Sequence, residues 1–238
     1  MLRDGSKPGG GLPFYFMLGS KINLHRRLRD SCRTKIAARG RVRGDKRKFE
    51  EWKRDGRPIP PPNLVKQQIV KQYGRDYAVN TLVETGTFLG DMVHACRKNF
   101  HRIVSIELDC RLYQDASRRF GSERHIEIYE GDSGSLLPKI AEEISEPCLF
   151  WLDGHYSAGI TAKGDLNTPI MKELSAICDH PIDGHVVLID DARLFTGQGD
   201  YPTIDEVRDF WLSRKPDHQL EVDLDIIRIT PPKVNLHP

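Results

Sequence analysis

Thr81-Leu82-Val83-Glu84-Thr85-Gly86-Thr87-Phe88-Leu89-Gly90-Asp91 is the stretch that decides the fold of this chain. Leu82-Val83 reads as the end of a buried strand. Gly86 and Gly90 break it into a turn, and a helical pattern from Asp91 to Asn99 follows. Glycine lets backbone pass close to a ligand, and a helix that opens next aims unpaired N–H groups into the same space. Strand, glycine turn and helix in that order make a ligand cradle.

The turn argues against a dinucleotide. Pyrophosphate binding needs the triplet G-x-G-x-x-G, and Gly86 and Gly90 frame Thr87-Phe88-Leu89 without it. The acid at the strand exit, Glu84, would repel a phosphate and suits a cationic amino acid. A second acid, Glu107, ends the apolar run Ile103-Val104-Ser105-Ile106. It falls about 20 residues beyond the glycines, the spacing at which a carboxylate meets ribose hydroxyls. A nucleoside with an amino-acid tail fits both acids, and S-adenosylmethionine (SAM) is such a molecule. Its expected contacts are Glu84, Thr85, Gly86, Thr87, Gly90 and Glu107. Asp132 and Ser133 join them after the third strand, and Asp153 after the fourth. Asp132 also reads as a helix N-cap.

Outward from the turn, strands and helices alternate. Strands are predicted at Thr81–Glu84, Arg102–Leu108, His125–Tyr129, Pro147–Leu152 and His185–Ile189. Helices are predicted at Asp91–Asn99, Arg111–Phe120, Ser135–Ile144 and Pro169–Cys178, with Pro138 tolerated in a first turn. Alternation with apolar strands implies a parallel sheet covered on both faces. After a helix at Thr203–Ser213, Gln219–Val222 and Asp225–Thr230 read as a terminal hairpin. The expected architecture is a Rossmann-like α/β fold of seven mostly parallel strands.

Two acid clusters stand at strand ends, where open α/β sheets place their ligands. They are Trp151-Leu152-Asp153-Gly154-His155-Tyr156 and Ile189-Asp190-Asp191-Ala192-Arg193. Neighbouring strands would bring Asp153, Asp190 and Asp191 together. Three carboxylates repel unless a cation sits among them, and an all-oxygen set favours Mg²⁺. His155 is the candidate for taking a hydroxyl proton, with Asp153 beside it in the catalytic group. Two polar, glycine-bearing segments, Tyr156 to Asn167 and Phe195 to Tyr201, read as substrate lids. Lys163 and Arg193 would meet an anionic substrate or stand in solvent.

Residues from about Pro60 to Pro231 resemble the class I SAM-dependent methyltransferases, most nearly the macrocin O-methyltransferase type. The resemblance rests on Asp153-Gly154-His155-Tyr156 and Asp190-Asp191, similar to that group's Asp-Gly-x-Tyr and Asp-Asp. It implies Mg²⁺-assisted methylation of a sugar hydroxyl, with Asp153, Asp190 and Asp191 as metal ligands. The x position, Asp in the sugar-modifying members, is His155 here, which leaves the base open. The chain also resembles a group of uncharacterised bacterial proteins sharing Val-Glu-Thr-Gly-Thr, Trp-Leu-Asp-Gly-His-Tyr-Ser and Ile-Asp-Asp-Ala-Arg.

Composition sets the outer limits. The chain has 238 residues, 29% charged and 38% hydrophobic, enough for one large domain with an appendage. Residues 1–60 carry 17 Lys/Arg against 6 Asp/Glu, and the remainder 19 against 28. A basic arm, residues 1–57, therefore precedes an acidic body, residues 58–238, across the stiff run Pro58-Ile59-Pro60-Pro61-Pro62. Asn63 reads as the N-cap of the next helix, Leu64 to Tyr73. Leu12 to Leu18 is too short to span a membrane and, interrupted by Pro13 and followed closely by Lys21 and Arg26-Arg27, does not read as a signal peptide. The five cysteines, Cys32, Cys96, Cys110, Cys148 and Cys178, form no C-x-x-C pair, which points to reduced thiols and a cytoplasmic protein. The expected partner is a small hydroxyl acceptor, with a homo-oligomer left open. Two alternatives use the basic arm: a nucleic-acid methyltransferase, and a non-catalytic SAM- or metal-binding interaction module. Asp-Gly-His-Tyr after the fourth strand differs from the Asn/Asp-Pro-Pro-aromatic turn common in base N-methyltransferases.

Overall fold

The computed structural model describes residues 44–154 and 168–233. Residues 44–54 are helical. Glu51–Pro238 belongs to one compact unit, to which the following elements belong. In chain order they are α1 (Asn63–Asp76), β1 (Thr81–Thr85), α2 (Asp91–Cys96), β2 (Arg102–Glu107), α3 (Cys110–Phe120), β3 (Ile126–Glu130) and α4 (Ser133–Ala141). β4 (Cys148–Leu152), α5 (Ile170–Cys178), β5 (Val186–Ile189), α6 (Ile204–Leu212), β6 (Gln219–Asp223) and β7 (Ile226–Thr230) follow, with a 3₁₀ turn at Ala192–Leu194.

The seven strands form one sheet in the order β3-β2-β1-β4-β5-β7-β6. The first five run parallel, and β7 joins β5 antiparallel with β6 outside it. Composition explains the order. β1, β4, β5 and β7 are buried at every position, as strands covered on both faces must be, whereas β3 and β6 are partly exposed and take the edges. Alternate strand residues such as Val83, Val104, Phe150, Leu152, Val187 and Ile229 share one core with Leu137, Ile140, Leu174, Ile177, Val207 and Trp211 of α4, α5 and α6. α1 packs beside β4 and α2.

Three local expectations change. Pro62, not Asn63, is the N-cap of α1, and no side chain caps the helix. The Pro62 carbonyl already accepts the Val65 N–H at 2.8 Å, which draws Asn63 into the first turn. α4 starts at Ser133 rather than Ser135, so Pro138 lies beyond its first turn and leaves the Gly134 carbonyl without the usual helical N–H. α2 ends at Cys96, three residues early, where the chain tightens into a turn closed by the Asn99 N–H on the Cys96 carbonyl at 2.7 Å.

Candidate functional site at the carboxyl rim of the sheet

The order of the first five strands reverses between β1 and β4, and an open α/β sheet takes its ligand at that point. Every acid singled out from the sequence lies on this rim. Asp132 follows β3, Glu107 ends β2, Glu84 is in β1, Asp153 follows β4, and Asp190 and Asp191 follow β5. The rim thus has a β1–β2–β3 half and a β4–β5 half.

The glycine turn is held from both sides. Gly86 has φ +87°, and a Cβ there would come within 2.4 Å of the Asp153 carbonyl oxygen. Only glycine lets the exits of β1 and β4 cross this closely. The Gly86 N–H donates to the Ile106 carbonyl at 2.9 Å, and the Asp153 N–H to the Thr85 carbonyl at 3.0 Å. Glu107 clamps the turn from β2. One carboxylate oxygen accepts the Phe88 N–H at 2.6 Å and the other the Asp109 N–H at 2.9 Å. Burial nevertheless raises its pKa, against the pull of those amides. A carboxylate offers about four lone-pair positions, so Glu107 can still accept from a ligand hydroxyl.

Glu84 lies beneath the turn. It is 2% exposed and accepts the Ser105 hydroxyl at 2.5 Å, while Thr87 Oγ1 lies 2.6 Å from Ser105 Oγ. Burial pushes its pKa up to about 8, overriding the Ser105 hydrogen bond, and nearby Glu107 and Asp91 add to the rise. A largely protonated Glu84 ties β1 to β2. Asp132 stands at the N-cap position of α4, yet its carboxylate accepts the Ser135 hydroxyl at 2.7 Å and no helix N–H.

On the β4–β5 half, the carboxylates meet cations of the protein itself. Lys66 of α1 donates to Asp190 Oδ2, and its Nζ lies 3.8 Å from Asp191 Oδ1. The charge of Asp153 also reaches Lys66. Burial works to lower the Lys66 pKa, but the carboxylates together more than reverse that, and the net shift is upward. Asp191 adopts a left-handed backbone at φ +58° and accepts Arg193 Nη1 at 2.7 Å. Arg193 also pairs with Asp225, so a partly solvent-exposed guanidinium is shared by two carboxylates. The Tyr201 phenol faces Asp191 and Asp153, and burial first, then those charges, push its pKa up to about 12. Its ring packs edge-on against Phe195, and Thr196 bridges Thr203, which pins the Phe195-to-Tyr201 segment.

Two of the three aspartates expected to surround a divalent ion, Asp190 and Asp191, therefore meet an ammonium group, and the charge of the third, Asp153, reaches it. Among the described residues, no three His, Cys, Asp or Glu side chains group to hold a metal. His155, Lys163 and the Tyr156-to-Asn167 segment lie outside the described residues.

Two site residues have no place in the sequence reading. Lys66 lies 124 positions before Asp190, and nothing near it in the chain announces the pair. Glu173 is 1% exposed, faces the hydroxyls of Ser133 and Thr85, and is pushed by burial to about 7. Among the described residues, its Oε1 and Thr85 Oγ1 have no hydrogen-bond partner. Here a signal existed: Glu173 interrupts the apolar stripe Ile170, Leu174, Ile177.

Sheet order and terminal hairpin together define a Rossmann-like methyltransferase fold. No family model matches the chain, and no curated protein does. Among solved structures, the chain is similar to the O-methyltransferase TomG from Streptomyces achromogenes, involved in tomaymycin synthesis and solved in complex with SAM. Identity is 18% over 77% of this chain and 86% of that one, with a TM-score of 0.52. It is also similar to an O-methyltransferase from Bacillus cereus in complex with SAH, at 14% identity over 78% of this chain and 89% of that one, TM-score 0.49. At these identities the likeness is one of fold.

Proposed function

We propose that this protein is a SAM-dependent methyltransferase that methylates a hydroxyl of a small polyhydroxylated molecule such as a sugar. The observation that carries the reading is the clamped glycine turn. Glu107 fixes it at the switch point of a sheet whose fold TomG, a SAM-bound O-methyltransferase, shares. In this reading residues 58–238 form the transferase, residues 1–57 form an appended basic arm, and the protein works in the cytoplasm.

SAM supplies an electrophilic methyl group when bound. The residues then divide by half of the rim. Glu107 would accept from ribose hydroxyls, Asp132 and Ser133 would meet the base, and the backbone from Thr85 to Gly90 would carry the amino-acid tail, with Glu84 holding that backbone from below. Asp153 lies at the seam between the two halves, where the acceptor oxygen must be held in line with the methyl carbon. His155, two residues on, would take the acceptor proton during transfer. The donor set does not fit Mg²⁺. Asp190 Oδ2 is bonded to Lys66, its Oδ1 accepts the Asp191 N–H at 2.9 Å, and Asp191 is bonded to Arg193. No step is routed through an ion.

Isothermal calorimetry of the full chain with SAM and SAH tests the reading. Saturable binding is expected, weakened at least tenfold (about 1.4 kcal/mol) in Glu107→Gln. A wild-type chain that binds neither would end it. Labelled SAM offered with sugars, catechols and RNA then separates the small-molecule acceptor from the nucleic-acid alternative.

A further inference from the structure

The β4–β5 half of the rim is a cation site already filled by the chain. Asp190 is buried and presents two oxygens. Oδ1 accepts the N–H of Asp191 at 2.9 Å, and Oδ2 accepts Lys66 Nζ. Asp191 Oδ1 is 2.7 Å from Arg193 Nη1 and 3.8 Å from Lys66 Nζ. The Lys66 side chain is 13% exposed and that of Asp190 1%, so the pair is largely withdrawn from water.

Mg²⁺ asks for six oxygens in an octahedron at about 2.0–2.1 Å. Each Asp190 oxygen already holds one donor, so an ion could take only a remaining lone pair, and at Oδ2 it would sit against the positive charge of the Lys66 ammonium in a buried site. An ammonium makes different demands. It needs acceptors at hydrogen-bond distance in a loose tripod, and it is covalently tethered through α1.

We infer that Lys66 is the resident cation of this half of the rim, held between Asp190 and Asp191 in place of a divalent metal ion. The assignment stands on the geometry of Lys66, Asp190 and Asp191. Its bearing on catalysis rests on the proposed function. There, a tethered monovalent charge faces the aspartates without acting as a Lewis acid. Removal of the acceptor proton then falls to a base of the protein.

The experiment is a Mn²⁺ titration of the full-length chain read by electron paramagnetic resonance of the free ion, with and without SAH. Mn²⁺ stands in for Mg²⁺ because both prefer oxygen ligands. The wild-type chain is expected to show no saturable site tighter than about 1 mM, the weak end of oxygen-ligand sites. Lys66→Ala, checked for folding by circular dichroism, is expected to bind Mn²⁺ at least tenfold more tightly. Adding Asp190→Asn to it should remove that gain. A wild-type chain that takes up one Mn²⁺ tightly and loses it in Asp190→Asn overturns the inference, and this arm needs no lysine variant to fold. A folded Lys66→Ala chain no more avid than wild type overturns it as well. Failure to bind SAH would sink the proposed function while leaving the Mn²⁺ result to stand by itself.

Discussion

A carboxylic acid whose pKa is pushed to about 8 inside a sheet makes stability depend on pH. Glu84 would titrate near 4.5 in the unfolded chain. The folded state therefore holds the proton more tightly than the unfolded state. The contribution is complete below 4.5 and is lost as pH rises through about 8. Glu173, raised to about 7, acts with the same sign. Glu84→Gln keeps a side chain able to meet the Ser105 hydroxyl but cannot ionise. Its melting temperature should gain on wild type as pH rises from about 5 to about 9, at about 2–4 °C per kcal/mol for a domain of this size. Differential scanning calorimetry across that range checks it, and a gap that does not widen contradicts the burial of Glu84. The sequence marked Glu84 by its position at a strand exit. It could not say that the side chain turns toward Ser105, since the two come together only when β1 and β2 pair.

At the scale of elements, a chain of two histidines joins four pieces of the fold at the ends of the strands away from the site. The Cys148 N–H, at the start of β4, donates to His185 Nδ1 at 3.0 Å. His185 Nε2 therefore carries the proton and donates to His180 Nδ1 at 3.0 Å, and His180 Nε2 donates to the Ala141 carbonyl at 2.8 Å. Both rings are neutral in this arrangement. Burial lowers the His185 pKa from 6.5 to about 4, and the neighbouring His180 and Lys215 push the same way. The unfolded chain then binds the extra proton first. Stability from this group is complete above 6.5 and is lost as pH falls through about 4. His185→Gln should flatten the fall in melting temperature over that window, while costing about 1–3 kcal/mol for the disturbed buried polar groups. An unchanged acid limb would contradict the neutral chain. Element type was readable throughout this region, because the apolar runs of β4 and β5 are unbroken and the stripe of α5 is helical. Element ends were less so. Pro62 and Asn63 both look like helix starts, and the choice between them depends on which carbonyl the first helical amides reach.

Across the whole molecule, the antiparallel hairpin fixes the half of the rim it borders. Leu224 and Asp225 both have positive φ, as a two-residue hairpin turn between β6 and β7 requires. Asp225 is 5% exposed. Its carbonyl accepts the Ala192 N–H at 2.9 Å, one carboxylate oxygen accepts the Arg193 N–H at 2.9 Å, and the other pairs with the Arg193 guanidinium. The loop that carries Asp190 and Asp191 is thus anchored by the last turn of the sheet. Asp225→Ala should lower stability by about 1–3 kcal/mol and release Arg193. SAM binding on the β1–β2–β3 half should stay within about twofold. A thermal melt beside a SAM titration checks both. Equal loss of stability and SAM affinity would mean that the two halves of the rim are not independent.

The sequence by itself determined the alternation of strands and helices, the terminal hairpin and the acids at the strand ends. Each of these is a local pattern: a buried parallel strand must be apolar along its length, and a turn that passes close to its neighbour must be glycine. The tertiary structure alone decided that Lys66 meets Asp190, that Arg193 is shared between Asp191 and Asp225, and that Glu84 faces Ser105. Apart from Arg193 and Asp191, neighbours in one loop, those pairs join residues on different elements, up to 124 positions apart for Lys66 and Asp190. A charge carries no mark of its partner along the chain, and only the folded sheet sets which cation lies within reach of which carboxylate.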